Sequence, residues 1–186
     1  MNPPATSKEA LLQTAKRIAM TEGLDRMSIR RTAAESGVAV GTVYHYYPAK
    51  ADLILAVVED FWRGTFHDNG PRLLEGDSFT GLCADLYETL RNSLRQFEGS
   101  FLRELSRLEA EEQAKGRRME RQYQEHMRQG MLAVLARDPR VRPEVWGPDF
   151  TPEELVRFAF FHITARLRAG EEDCAFLLQV LERLLY

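Results

Sequence analysis

Several features that would assign this chain to a specialised class are scarce or missing. Its 186 residues include only two cysteines, Cys83 and Cys174, whose spacing forms neither a disulfide framework nor a metal-binding motif. No run of 18 apolar residues occurs, and the first residues, MNPPATSKEALL, lack the basic-then-apolar pattern of an export signal. We therefore expect no membrane insertion or export, and two buried thiols in a reducing cytoplasm.

Catalytic signatures are missing as well. The motifs G-x-S-x-G and H-E-x-x-H, a Walker loop and paired Cys/His clusters do not occur. His67 beside Asp68, and His126 beside Glu125, are isolated and typical of surface residues. We expect no enzyme, no cofactor and no metal site, and loss of a turnover on mutating His162 would overturn that expectation.

Charge is unevenly distributed although the net charge is only −3. Residues 1–50 contain seven Lys or Arg and four Asp or Glu, a net of +3, and the remaining 18 basic and 24 acidic residues give −6. A basic segment on an acidic body is typical of a module that faces phosphate groups. An imbalance this small also arises by chance, so it supports a nucleic-acid partner only together with a matching motif.

Helix signals recur along the whole chain, and strand alternation is nearly absent. Thr6 and Glu9 have capping-box spacing before the first helix, and Ser28 is placed to cap the second. Thr151, Pro152 and Glu154 form the clearest helix start. The pattern predicts eight or nine helices, at about 6–22, 28–35, 40–46, 50–66, two or three within 79–137, then 151–169 and 171–185.

Residues 23–50, GLDRMSIRRTAAESGVAVGTVYHYYPAK, have the layout of a helix-turn-helix unit. Two short helices are joined by a tight turn at Gly37, and a third helix precedes them. Small or apolar residues stand where the helices pack, and polar or aromatic residues project at the height of a DNA groove. The packing residues are Ile29, Ala33, Ala34, Val38 and Val43, and the projecting ones are Thr42, Tyr44, His45 and Tyr46. A place in the core is the alternative for the aromatics Tyr44 and Tyr47, and is favoured for Tyr47.

Here the sequence resembles the TetR family of bacterial regulators. The segments SIRR, AAESGV, VGTVYHYYP and AKADLI follow one another as the family pattern requires, over about residues 8–60. The resemblance implies an all-α fold with a three-helix helix-turn-helix DNA-binding domain in residues 1–48. A larger helical domain in residues 49–186 would bind an effector and dimerise. It further implies a bacterial, cytoplasmic, nucleoid-associated regulator that binds a double-stranded operator.

The resemblance also assigns roles to matched positions. Thr42, Tyr44 and Lys50 are expected to touch the phosphate backbone, and Ser28 and Arg30 to anchor the neighbouring strand, because such groups position a protein without reading sequence. Base edges are expected to be read from the exposed side of the recognition helix, with Gly41 allowing close backbone approach. These base-reading positions are Val40, Gly41, His45 and Tyr46. Arg31 is expected to be solvated or a weak phosphate partner, and not a base reader.

Three positions depart from the family pattern. Ala39 and Ala49 stand where a capping residue is usual, and an alanine cap costs about 1 kcal/mol relative to serine. We therefore expect the free recognition helix to fray and to become ordered on DNA. Thr32 stands where a larger aliphatic residue is usual.

The C-terminal helices carry broad apolar faces that a domain this small cannot easily bury. The resemblance implies dimerisation through these two helices of each subunit in a four-helix arrangement, and hence a pseudo-palindromic operator. The predicted dimer residues are Leu155, Phe158, Ala159, Phe176, Leu177, Val180, Leu181 and Leu184.

An effector pocket is expected among the central helices, for an apolar or aromatic ligand. Plain hydrophobic core is the favoured alternative for every candidate, and Tyr87 and His162 are the candidate polar anchors. The candidates are Trp62, Phe66, Cys83, Tyr87, Leu90, Phe101, Met127, Met131, Phe161 and His162. A competing hypothesis is a helix-turn-helix that contacts protein, which a binding affinity insensitive to salt would favour.

Overall fold

The computed structural model describes residues 6–68, 70–95, 108 and 110–186, and for residues 66–68 the backbone alone. Within these ranges the chain is helical and has no β-strand, which confirms the predicted all-α class. One π-helical segment, Arg63–Asp68, and one 3-10 turn, Pro143–Val145, accompany nine α-helices. These are α1 (Lys8–Glu22), α2 (Ile29–Glu35), α3 (Val40–Tyr46), α4 (Lys50–Trp62), α5 (Gly70–Leu73), α6 (Phe79–Arg95), α7 (Ala110–Arg137), α8 (Pro152–Arg168) and α9 (Ala175–Leu185).

Helix starts follow the capping rules with one correction. Ser28 accepts a hydrogen bond from Arg31 N, and Thr151 accepts one from Glu154 N, both as predicted. At α1 the capping hydroxyl belongs to Ser7, which accepts from Ala10 N, and not to the predicted Thr6. The two residues are adjacent and have the same capping chemistry, so the pattern could not separate them.

The predicted last helix also needs a correction, because α9 begins at Ala175 and not at Glu171. The intervening turn is held by its backbone carbonyls. Tyr87 Oη donates to Glu171 O at 2.6 Å, Arg91 donates to Glu172 O, and Arg166 Nε donates to Asp173 O at 2.6 Å. Residues of α6 and α8 therefore fix this turn.

The chain divides into two compact units. The first comprises Met1–Trp62 with Ser93–Glu120, and the second Arg63–Asn92 with Arg121–Tyr186. By its contacts α4 belongs to the first unit, whereas the sequence-based division placed residues 49–186 together. The functional division after residue 48 stays a prediction.

The core of the first unit is built by the apolar stripe of α1 against α2, α3 and α4. Leu11, Ile18, Leu24, Met27 and Leu53 are completely buried. Burying an aliphatic side chain of this size stabilises the fold by about 1.5–3 kcal/mol. At the edge of this core Lys16 Nζ lies 2.6 Å from a carboxylate oxygen of the buried Asp60, which joins α1 to α4.

A polar cluster fastens the second unit around Asp138, whose side chain is fully buried. Its carboxylate accepts from Phe79 N at 2.9 Å, Arg140 N at 3.0 Å and Tyr186 Oη at 2.5 Å. Burial raises the pKa of Asp138, but these hydrogen bonds outweigh burial and leave the pKa below its usual value. A second link runs from Thr80 Oγ1 to Glu182 at 2.8 Å. No helix among the described residues is both long and apolar enough to cross a bilayer.

Candidate nucleic-acid interface

The recognition helix is set on α2 by a short, tightly bonded turn. Gly37 has a φ of +65°, a left-handed conformation that glycine adopts without a steric penalty. Gly37 N donates to Ala34 O and Val38 N to Ala33 O, so the end of α2 is satisfied by the turn itself. Val43 is completely buried and fixes the inner side of α3.

The outer side of α3 faces solvent where the sequence predicted contacts with bases. Val40 and Tyr44 are 39% and 50% exposed, and Gly41 and His45 are exposed too. A Cβ added at Gly41 would meet no atom within 4 Å, so this chain leaves open space beside its backbone. Exposed apolar and aromatic groups on a helix one turn from a basic residue suit contact with a DNA groove.

Two tyrosines at the end of α3 turn inward. Tyr47 is 2% exposed and lies in the core, which is the alternative that the sequence favoured for it. Tyr44 is exposed and does not lie in the core. Tyr46, a predicted base-reading residue, is half-buried against the core, and its hydroxyl donates to Thr6 O at 3.2 Å. The structure thus gives Tyr46 a partner inside the chain, which the sequence pattern did not reveal. Its contact with bases stays a prediction.

The positively charged groups fall into two classes. Arg30 and Lys50 are exposed, as the predicted phosphate contacts require. Arg31 instead lies 2.7 Å from Glu22 and 3.5 Å from Glu35 in ion pairs at the surface. Surface pairs of this kind contribute about 0–1 kcal/mol, so they orient Arg31 more than they stabilise the fold.

The two alanine caps have different surroundings. Ala39 provides no side-chain hydrogen bond to α3. Ahead of α4, Asp52 accepts from Ala49 N at 3.0 Å, which is the reciprocal half of a capping box, and so compensates for Ala49. Thr32 is buried, and its hydroxyl has no hydrogen-bond partner among the residues that the structure describes. The departures at Ala39 and Thr32 therefore lower the stability of the fold. At Ala49 the hydrogen bond to Asp52 offsets the missing cap.

The predicted effector residues separate into a buried group and others. Cys83, Tyr87, Leu90, Met127 and Met131 are all buried in the second unit. Burial raises the pKa of the Cys83 thiol, which keeps it protonated and structural. Trp62 belongs to the first unit and is half-buried there, and His162 is half-buried too. Phe161 is 69% exposed and does not line an enclosed pocket, while Phe101 and the side chain of Phe66 lie outside the described residues.

A polar groove of about 340 Å³ lies on the surface of the second unit, and nothing in the sequence pattern pointed to it. Its side chains come from α5 and from one exposed face of α6, where residues three, four and seven apart align. The lining residues are Arg72, Leu73, Asp85, Glu88, Thr89 and Asn92. Charged lining of this kind does not match the apolar pocket that the sequence predicts.

The predicted dimer residues divide between the chain's own core and its surface. Leu155, Ala159, Leu177 and Leu181 are buried within the chain, so they are not available to a partner. Exposed apolar side chains remain on the same helices, and these include Phe161, which the sequence assigned to the pocket. They are Phe158, Phe161, Phe176 and Leu184, with the half-buried Val180 beside them.

Comparison with known proteins agrees with this geometry. The model of the family of bacterial regulatory proteins, tetR family, matches residues 6–57. The HTH-type transcriptional repressor DrrR1 of Streptomyces coeruleorubidus is 32% identical over 87 residues, which are 47% of this chain and 32% of that protein. The match therefore spans about a third of that relative's length.

Solved structures show the same fold. The transcriptional regulator FadR from Bacillus subtilis, in complex with stearoyl-CoA, has a TM-score of 0.68 at 16% identity, with 96% of this chain and 98% of that chain covered. The multidrug binding protein EbrR, complexed with imidazole, has a TM-score of 0.57 at 20% identity, with 98% and 96% covered. Residues 6–57 thus match the tetR family of bacterial regulatory proteins, and the chain shares the fold of these two solved proteins.

Proposed function

We propose that this chain is a cytoplasmic transcriptional repressor that binds a pseudo-palindromic DNA operator as a homodimer and is released by a small apolar or aromatic effector. The observation that carries the proposal is the exposed side of α3. Val40, Tyr44 and His45 stand on a helix whose inner side is fixed by Val43 and followed by the buried Tyr47. A helix that is anchored by its inner side and exposed on its outer side is what insertion into a major groove requires.

Dimerisation is supported by the exposed aromatic side chains of α8 and α9. Phe161 and Phe176 are 69% and 68% exposed, and each would bury a large apolar area against a second copy. A two-fold dimer presents two copies of α3, so the operator consists of two inverted half-sites about one helical turn or more apart.

Effector binding is supported by the composition of the core of the second unit. Its buried Cys83, Leu90, Met127 and Met131 offer apolar and polarisable surface, and methionine side chains repack readily around a ligand. FadR from Bacillus subtilis, which shares the fold, was solved with stearoyl-CoA. This neighbour favours a long apolar effector that binds among the methionines.

Release from DNA follows as a shift between two forms of the dimer. The effector prefers a form in which α4 tilts and the two recognition helices no longer fit the groove together. A 100-fold release requires about 2.7 kcal/mol of preference for that form. Crystal structures with and without effector, if they had the same spacing between recognition helices, would rule out this step.

The test is a titration of duplex binding at rising salt with two variants. Because phosphate contacts release counterions, we expect the affinity of the unmodified protein to fall steeply. Lys50→Ala weakens binding to all sequences evenly, by about tenfold, whereas His45→Ala changes the base preferred at one position of each half-site. An affinity that ignores salt contradicts DNA binding and favours a protein partner, and exchanged effects of the two variants contradict the assigned roles.

A further inference from the structure

The start of α1 is tied to the end of the recognition helix by two consecutive tyrosines. Tyr46 Oη donates to Thr6 O at 3.2 Å, and Tyr47 Oη donates to Lys8 O at 3.1 Å. Burial, and to a smaller extent Glu9, raises the pKa of Tyr47 to about 12. The Tyr47 hydroxyl therefore remains protonated and able to donate at every pH at which a duplex is stable.

These bonds place one exposed cation beside the end of α3. The Lys8 ammonium lies 5.5 Å from the centre of the Tyr47 ring, and the Lys8 side chain is exposed. Tyr47 immediately follows α3 and precedes Lys50 by three residues. The first basic residue of α1 and the first residue of α4 thus both lie near the same end of the recognition helix.

We propose that Lys8 is a further phosphate-binding residue of the DNA interface, and that Tyr46 is a positioning residue that holds the backbone before it. The proposal rests on the proposed function. It adds a contact outside the helix-turn-helix and gives Tyr46 a role other than reading a base.

The dimensions of DNA explain why a cation at this place meets a phosphate. A helix with its side chains is about 10–12 Å wide and fills a major groove about 12 Å wide. Groups that flank the end of such a helix therefore lie against the groove wall, which is the sugar-phosphate backbone. An ammonium there acts as a point charge and needs no fixed orientation.

Neighbouring groups at the start of α1 are compatible with an anion. The amino end of α1 carries the positive end of the helix dipole. Glu9 is an acidic side chain in this first turn, and its carboxylate accepts from the Gln13 side chain at 2.7 Å. Among the described groups of this first turn, the Lys8 ammonium and the helix dipole are positive and Glu9 alone is negative.

The test compares the salt dependence of duplex binding for Lys8→Ala, Lys8→Gln and Lys115→Ala. Each phosphate contact contributes about 0.9 to the slope of log affinity against log salt, so loss of Lys8 from both subunits lowers the slope by about 2. We expect both Lys8 variants to show this lower slope and about tenfold weaker binding in low salt. Lys115 is exposed on α7, and Lys115→Ala is the matched control that keeps the original slope.

Tyr46→Phe separates positioning from base reading, because it removes only the hydroxyl. We expect weaker binding to every duplex with unchanged base preference, and little additional loss when Lys8 is already alanine. A changed preference at one base position would overturn the positioning role, and an unchanged slope in both Lys8 variants would overturn the phosphate contact. If the unmodified protein itself shows no salt-dependent binding, the proposed function fails instead.

Discussion

The two units of this protein each have a buried apolar core, but they expose different kinds of surface. On the first unit α3 presents valine, glycine, tyrosine and histidine, a mixed surface that can exchange hydrogen bonds and tolerate a polyanion. On the second, α8 and α9 present phenylalanines such as Phe161 and Phe176. The difference supports the two proposed contacts, since a charged duplex suits the first surface and an identical apolar face suits the second.

A substitution at Phe176 is expected to have the largest effect on the difference between these two surfaces. We expect Phe176→Glu to raise the dimer dissociation constant at least 100-fold, because two carboxylates would be buried in an apolar interface. Operator affinity falls with it, since a monomer presents only one recognition helix. Sedimentation equilibrium measures the first effect, and Phe176→Tyr, which retains the ring, is the control that stays dimeric. A Phe176→Glu dimer of unchanged stability would place the interface elsewhere.

Asp138 tests whether the second unit can be weakened by itself. At pH 7 we expect Asp138→Asn to lower the free energy of unfolding by about 2 kcal/mol, because a charged acceptor of three hydrogen bonds is replaced. Since the folded pKa of Asp138 is depressed, its contribution is present above the unfolded value of about 4 and is lost as pH falls through the folded pKa.

Urea unfolding of both proteins between pH 7 and pH 3.5 measures this difference. We expect the difference between their free energies of unfolding to narrow below about pH 4. Amide exchange in α1 to α3 is expected to be the same in both proteins. A gap independent of pH would show that the carboxylate charge contributes nothing.

Thr32 is a position in the first unit at which a substitution is expected to raise the stability of the fold. The buried Thr32 hydroxyl finds no hydrogen-bond partner in the described part of the chain. Replacing it by a methyl group in Thr32→Val is expected to stabilise the protein by about 1–2 kcal/mol without changing operator affinity. Thr14→Val is the control, because the Thr14 hydroxyl is exposed and already donates to Ala10 O at 3.1 Å. Thermal unfolding distinguishes them, and an equal or greater gain at Thr14 contradicts the explanation.

The smallest effect is expected at Ala39. A serine there would cap α3 and add about 0.5–1 kcal/mol of local stability. We expect amides 40–46 to exchange quickly in the free protein, more slowly in Ala39→Ser, and most slowly on a duplex. Strong protection of these amides in the free, unmodified protein would end the idea that the recognition helix becomes ordered on DNA.

Local chemistry explains why much of the first unit follows from the sequence. The cap at Ser28 and the turn at Gly37 depend on residues only a few positions away, all of which lie within one short sequence pattern. The exposure of Tyr44 follows from helical periodicity once Val43 faces inward, because successive side chains of a helix point about 100° apart. The hydrogen bond of Tyr46 could not be predicted, because its partner, Thr6, lies 40 residues away.

The second unit shows what periodicity leaves open. An apolar stripe has the same appearance whether it packs inside the chain or against a second copy, so Leu155 and Leu177 were assigned to the interface although they are buried. The start of α9 was displaced because Tyr87 and Arg91 hold the preceding turn from a distant helix. The polar groove of α5 and α6 has no short motif at all.

Selection of bound duplexes from a random library tests the central claim most directly, because it asks for sequence reading and two-fold symmetry in one measurement. We predict enrichment of two inverted half-sites whose centres are separated by about one helical turn or a multiple of it. Recovery of no preferred sequence, or of a single half-site without its inverted copy, would contradict the account.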